Sequence, residues 1–241
     1  MRIIRTINYL YHTSFSSIWK SENLKVEVIG NKYGRGYYIP GLLRKEGIVY
    51  SFGIGEDVSF DLELLKNHDI RIVGFDPTPK SIDWVKNNHE IPGNFIFQEY
   101  GLSAKTGQLR FFLPENDSQV SASLTKDLGG GYIDCNFLTF QDTLERLGDS
   151  FVDLAKIDIE GEEYNLFKSW IDSEYIPPIG QIWVEFHPER AGFSNISTYK
   201  FVKSLEKISL VIAQNTVVKR TNHYLLVNRS VLSSKSCIQN K

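Results

Sequence analysis

Two hydrophobic periods alternate along this chain. Apolar runs of strand length fall near residues 48–53, 70–76, 94–99, 152–158 and 180–187, and helical spacing falls near 58–67, 79–88, 160–172 and 197–207. Strands and helices in alternation predict βαβ units and a mostly parallel sheet, because parallel neighbours need a crossover, usually a helix on the sheet's face. Towards the end, Ile208–Ala213 and His223–Val227 sit on either side of a polar turn and predict an antiparallel pair closing one edge. Between the third and fourth strands, Gly107 to Leu113, a polar stretch and Gly129-Gly130-Gly131 predict a short strand and a mobile glycine loop of the kind that caps a substrate. Ahead of the sheet, Lys25–Gly30 and Tyr33–Pro40 predict a hairpin, and Ile7 to Trp19 an amphipathic helix lying on the fold. The expected organisation is an appendage of helix and hairpin over 1–45, one α/β domain over 46–230, and a Ser- and Lys-rich tail over 231–241 that frays.

Composition narrows the partners more than the fold. At 241 residues, with 41% apolar and 13% aromatic side chains, the chain can bury a substantial core. A net charge of −2 gives no reason to expect nucleic acid as a partner. Cys135 and Cys237 stand far apart with no CxxC or Cys/His spacing, so a zinc site is not expected and a reducing, cytoplasmic setting is. Ile7 to Trp19 is broken by His12, Thr13, Ser14, Ser16 and Ser17 and reads as neither a signal peptide nor a membrane span.

Candidate chemistry gathers where strands end. An open α/β sheet binds ligands at the carboxyl ends of its strands. The first strand ends in Ser51-Phe52-Gly53-Ile54-Gly55-Glu56-Asp57, where Gly53 and Gly55 permit a tight turn and close approach to a ligand. The second ends in Asp76, placed to accept hydrogen bonds from both hydroxyls of a ribose. The fourth runs Lys156-Ile157-Asp158-Ile159-Glu160-Gly161-Glu162-Glu163: Asp158 should point into the cleft, and Glu160 should open the next helix, with Glu163 on the same helical face. Capping alone also explains Glu160, and Lys156 is open to pairing with Asp158, binding substrate or scaffolding. Glu185 and His187 share a face of the fifth strand, which should neighbour the Asp158 strand. Two roles stand side by side for His187: general base for a hydroxyl proton, or ligand, with Asp158 and Glu185, to a divalent cation.

The runs Lys156-Ile157-Asp158-Ile159-Glu160-Gly161-Glu162-Glu163, Ser51 to Asp57 and Val184-Glu185-Phe186-His187-Pro188 resemble the motifs of the FkbM family of S-adenosylmethionine-dependent methyltransferases, from about Val49 to about Pro188. The resemblance implies a Rossmann-like three-layer α/β sandwich, with a mostly parallel seven-stranded sheet and an antiparallel strand at one edge. It implies O-methylation of a hydroxyl on a sugar or small metabolite, with S-adenosylmethionine as cofactor and a small molecule or glycan as acceptor; a homo-oligomer stays open. It also places the adenine pocket at Gly101, Leu102 and Ser103, read through backbone groups of the first two. Ser51 stands where an acid is usual in that family, and Asp57 near a later glycine. Asp57 reads equally as a helix cap or as a contact for the ammonium of the cofactor's methionine part. Two other readings remain: a nicotinamide-dependent oxidoreductase, weakened by the missing third glycine after Gly55, and a methyltransferase-like module that binds without turnover.

Overall fold

In a computed structural model, residues 25–88, 90–115, 122–218 and 221–236 are described. The helix expected over Ile7 to Trp19 lies outside them. The main sheet has seven strands: β3 (Gly47–Phe52), β4 (Ile70–Phe75), β5 (Phe95–Gln98), β9 (Val152–Ile157), β10 (Ile179–Phe186), β11 (Leu210–Val218) and β12 (Thr221–Asn228), in the order β11-β12-β10-β9-β3-β4-β5. β12 is antiparallel to both its neighbours, and the other recorded pairings within this sheet are parallel. The closing hairpin therefore forms at the predicted edge, with β12 inside it and β11 outermost. This is the mostly parallel α/β sheet that the alternating periods predict, in the Rossmann-like arrangement that the family resemblance implies.

The apolar strands are buried on both faces because helices cover both. On one side α3 (Phe140–Leu147), α4 (Glu163–Asp172) and α6 (Asn195–Ser204) pack over Tyr50, Phe52, Ala155, Ile157, Val184 and Phe186. On the other, α1 (Ser59–Asn67), α2 (Pro79–Asn87) and α7 (Arg229–Ser236) cover Val49, Ile72, Leu154, Trp183 and Leu225. The helix α3 escapes the period-based reading, although Thr139 caps it by accepting from the Asp142 amide and Gly148 ends it at a φ of 71°. Helix α7 extends into the segment read as a fraying tail. Among the described residues, no helix is long and apolar enough to cross a membrane.

Two expectations change in three dimensions. The glycine run does not stay a loop: β8 (Gly129–Leu138) begins there and pairs antiparallel with β7 (Gly107–Pro114), and β6 (Gly101–Leu102) joins its other side. Backbone pairing across Pro114 and Gly129 supplies partners that composition does not announce. The hairpin of β1 (Glu27–Ile29) and β2 (Gly36–Tyr38) is likewise built into the core: Tyr38, Ile39 and Leu42 are buried. Gln181 on β10 closes both polar groups of Ile39, accepting from its amide at 2.8 Å and donating to its carbonyl at 3.1 Å.

A buried carboxylate forms a second tie between this segment and the sheet. Asp153, fully buried in β9, accepts from the Arg44 and Ile48 amides at 3.0 and 2.9 Å and from the Arg44 guanidinium at 2.8 and 3.0 Å. Asp153→Ala strands two inward-facing amides and should cost about 3 kcal/mol. Thermal unfolding should show the midpoint falling by roughly 6–12 °C; an unchanged midpoint contradicts this account of the join.

Candidate active site

The chain order makes β3 and β9 neighbours, although β4 and β5 lie on the far side of β3. At such a reversal the two following loops diverge and leave a crevice at the carboxyl ends of the strands. A cavity of about 330 Å³ opens there. Its floor is an interlock of strand ends: Gly53 donates its amide to the Phe75 carbonyl at 2.9 Å, and Asp158 donates its own to Phe52 at 3.1 Å. Gly53 sits at a φ of 75°, and a Cβ there would lie 1.7 Å from the Asp158 carbonyl oxygen. Glycine is required by the approach of one backbone to another.

Around this floor the acids are held in distinct ways. Asp76 is buried; Oδ1 accepts from the Thr78 amide (2.9 Å) and hydroxyl (2.6 Å), and Oδ2 accepts from the Gly55 amide at 2.9 Å. Three of about four acceptor positions are thus used, leaving one to the cavity rather than two. Asp57 has both oxygens engaged, by the Ser59 amide at 2.8 Å and by Asn31 Nδ2 at 2.7 Å. It lies one residue ahead of Val58, the N-cap of α1, which carries no side-chain cap bond. Lys156, almost fully buried, donates Nζ to the Gly53 carbonyl at 3.0 Å instead of pairing with Asp158.

His187 stands in a cage of carboxylates. Its Nδ1 donates to Glu163 Oε1 at 3.0 Å, and its Nε2 lies 3.4 Å from Glu160, 3.7 Å from Asp158 and 3.8 Å from Glu185. Burial works to lower its pKa, but Glu163, Glu160 and Asp158 outweigh it and push the imidazolium up to about 10. Burial raises the Asp158 carboxyl, and the charge on Glu185 adds to it, bringing it to about 8. Glu185 moves the other way: burial opposes ionisation, but His223, which it meets at 3.3 Å, and His187 hold it down to about 2. The site therefore keeps one proton-bearing imidazole beside a carboxyl that titrates near neutrality.

The strand-end reading places Asp158, Glu185 and His187 together, and the structure brings them to the cavity wall with Glu160, Lys156, Gly53, Gly55, Asp57, Asp76, Gly101 and Leu102. Ser103 is off that wall, its amide and hydroxyl committed to Leu138 and Lys105 carbonyls. Glu160 does not open a helix: it adopts a φ of 55°, and α4 starts at Glu163. Glu163, expected as a helix-face neighbour of Glu160, instead accepts from the Ile159 and Gly161 amides and orients His187. Among aromatic residues, Phe137 and Trp183 line the cavity, whereas Tyr132 is half exposed and Phe193 stacks on Tyr164. Periodicity also missed Tyr33, Thr78, Phe111 and Leu124 on the cavity wall, which reach it from the hairpin tip, the turn after β4 and the inserted sheet. No local spacing signals those four.

A model of the methyltransferase FkbM domain matches residues 19–208. The chain belongs to the FkbM methyltransferase family. The match begins ahead of the β1–β2 hairpin. No curated protein matches the sequence. Among solved structures, a chain of a fibrillarin/Nop5p complex is similar at a TM-score of 0.49 and 11% identity, over 77% of this chain and 74% of that one. A precorrin-6y C5,15-methyltransferase from Geobacter metallireducens GS-15 is similar at 0.43 and 11%, over 77% and 81%. TrmK from M. capricolum, in complex with S-adenosyl-homocysteine, is similar at 0.44 and 8%, over 78% and 64%. These likenesses are distant, and the assignment of this methyltransferase rests on the family match.

Because the folded pKa of His187 lies above its ordinary value, its stabilising contribution is complete below about pH 6.5 and is lost as pH rises through about 10. Imidazole NMR on chelator-treated protein should find His187 protonated at pH 8. Glu163→Gln removes the nearest charge and should bring the titration down toward neutrality; an unmoved titration would show that Glu163 does not set it.

Proposed function

We propose that this chain is an S-adenosylmethionine-dependent O-methyltransferase acting on a hydroxyl of a sugar or small metabolite. One observation carries the reading: a glycine turn, a ribose-type acid and a carboxylate–histidine cluster meet around a single cavity at the sheet's switch point. The residues present fit the cofactor. Gly53 and Gly55 let backbone come close to it, Asp76 offers its one remaining acceptor position to a ribose hydroxyl, and Gly101 and Leu102 present backbone to an adenine edge. When bound, S-adenosylmethionine supplies a methyl group made electrophilic by the sulfonium. For their part, the protein's residues hold the acceptor in line and take its proton.

We assign that proton to Asp158 in its ionised form, which burial and the charge on Glu185 make a stronger base than an ordinary carboxylate. His187, kept as an imidazolium by Glu163, Glu160 and Asp158, orients the carboxylate and shields it from Glu185; it becomes a base itself only when that cage is neutralised. A second reading follows from the spacing of Asp158, Glu160 and Glu185 about His187 Nε2, which leaves room for a divalent cation in place of the histidine proton. Asp158, Glu163 and His187 also offer donor atoms within 4.8 Å of one another. Glu163 is the poorer ligand, because backbone amides and His187 Nδ1 already occupy its oxygens. Membership of a methyltransferase family speaks against the oxidoreductase reading.

S-Adenosylhomocysteine at about 100 times its dissociation constant should add about 2.7 kcal/mol to stability, raising the unfolding midpoint by roughly 5–10 °C. Asp76→Ala should abolish the shift, and NAD should give none. A shift with NAD alone would defeat the proposal. In an assay with labelled cofactor and a panel of hydroxylated acceptors, Asp158→Asn should lower kcat by about 10²–10⁴-fold. Activity that survives exhaustive chelation assigns proton removal to Asp158 without a metal; activity restored only by a divalent cation supports the second reading.

A further inference from the structure

Beneath the glycine turn lies a buried polar group that the roles above do not use. Ser51, Lys156 and Trp183 are in register across β3, β9 and β10, so their side chains leave the same face of the sheet. Helix α1 crosses that face and lays Asp61 over them, fully buried. Its carboxylate lies close enough to the Ser51 hydroxyl, the Lys156 ammonium and its own amide to be stabilised by each, yet among the described residues neither of its oxygens, nor Ser51 Oγ, nor Trp183 Nε1, has a partner in full hydrogen-bonding geometry. The contact to Lys156 is thus electrostatic, across a gap, and not a closed ion pair.

A buried carboxylate with unfilled acceptor positions is costly, and such groups call for a specific explanation. Packing gives none, since an apolar residue of the same volume would suit the layer formed by Phe60, Leu64 and Trp183 better. Electrostatics does. Lys156 is nearly inaccessible to water, its Nζ donates to the Gly53 carbonyl, and the Asp61 carboxylate faces it from α1. Without a counter-charge the ammonium would be a lone buried charge held on the turn by a single carbonyl, an arrangement that is costly in the interior.

We propose that Asp61 is a positioning residue for the cofactor turn, the counter-charge that keeps the Lys156 ammonium on the Gly53 carbonyl and so supplies from α1 what Ser51 does not supply from the strand. The role rests on the cofactor reading of this cavity, because it is toward that ligand that the turn is presented. Burial raises the Asp61 carboxyl to about 6, with the Lys156 charge and Ser51 restraining the rise and Asp57 adding slightly to it. Affinity for the cofactor should therefore weaken as pH falls from 8 to 5 and Asp61 is neutralised.

The test compares wild type, Asp61→Asn, Lys156→Met, and a swap that combines Ser51→Asp with Asp61→Ser. Titration calorimetry with S-adenosylhomocysteine at pH 8 should show affinity weakened on the order of tenfold in Asp61→Asn, with the pH dependence between 5 and 8 flattened. The swap keeps volume and composition and moves the charge onto the strand beside Lys156, so it should return affinity to within about threefold of wild type. Unchanged affinity and pH profile in Asp61→Asn, or a swap no better than that variant, would overturn the proposal. Ligand-free unfolding separates this outcome from failure of the cofactor reading. The stability difference between wild type and Asp61→Asn should step between pH 4 and 8, and Lys156→Met should move the step to higher pH. An absent or unmoved step shows that Asp61 and Lys156 are not coupled, whether or not the ligand binds; a moved step with no binding by wild type would leave the pair real and the cofactor reading wrong.

Discussion

The arrangement of the site depends on how closely β3 and β9 approach at Gly53. Only hydrogen fits on that α-carbon, because the Asp158 carbonyl oxygen occupies the space a Cβ would need. The closeness lets three strand ends share hydrogen bonds and lets Lys156, one turn of pleat below Asp158, reach back to the Gly53 carbonyl. A larger residue would force the strand ends apart and separate Asp76 from Asp158, two acids that line the cavity. The glycine motif thus acts first as a packing device between strands and only then as a surface for a ligand.

Charge in the site is arranged by burial and mutual restraint. Glu163, tied to two backbone amides and to His187 Nδ1, fixes the imidazole ring, which favours ionisation of both Asp158 and Glu185; His223 then favours Glu185 further, and the Glu185 charge disfavours Asp158. Two carboxylates of like chemistry on adjacent strands end up with opposite pKa shifts because one neighbours two histidines and the other mainly neighbours a carboxylate. Splitting pKa values between paired groups is how one site separates an acceptor of protons from a fixed charge. Oriented groups of this kind need a rigid support, and the all-buried β9 provides it.

The parts that complete the cavity come from outside the central alternation. Phe111 and Leu124 arrive from the inserted sheet, which is tied to the Asp76–Pro77 turn by the Cys135 thiol donating to the Pro77 carbonyl at 3.3 Å. Tyr33, 87% exposed, stands at the rim on a hairpin tip held to α1 by Asn31. These peripheral elements differ from the sheet in sequence character, with more polar residues and more glycine, as expected where loops set specificity on a constant scaffold.

Periodicity alone determined the parallel sheet, its crossovers and its closing hairpin, since burial on one or both faces leaves a direct trace in the order of apolar residues. Strand ends marked by Gly53, Gly55, Asp76, Asp158 and His187 were equally legible, because residues of those types gather where an apolar run meets solvent or a ligand. What sequence order did not carry was any relation between distant segments. That Asp61 lies over Ser51 and Lys156, that Glu163 grips His187 while Glu160 turns to φ 55°, and that the glycine run at 129–131 pairs with β7 are consequences of β9 inserting beside β3 and of loops packing over that junction. Local pattern reports whether a residue is buried; only the folded chain decides which charge it is buried against.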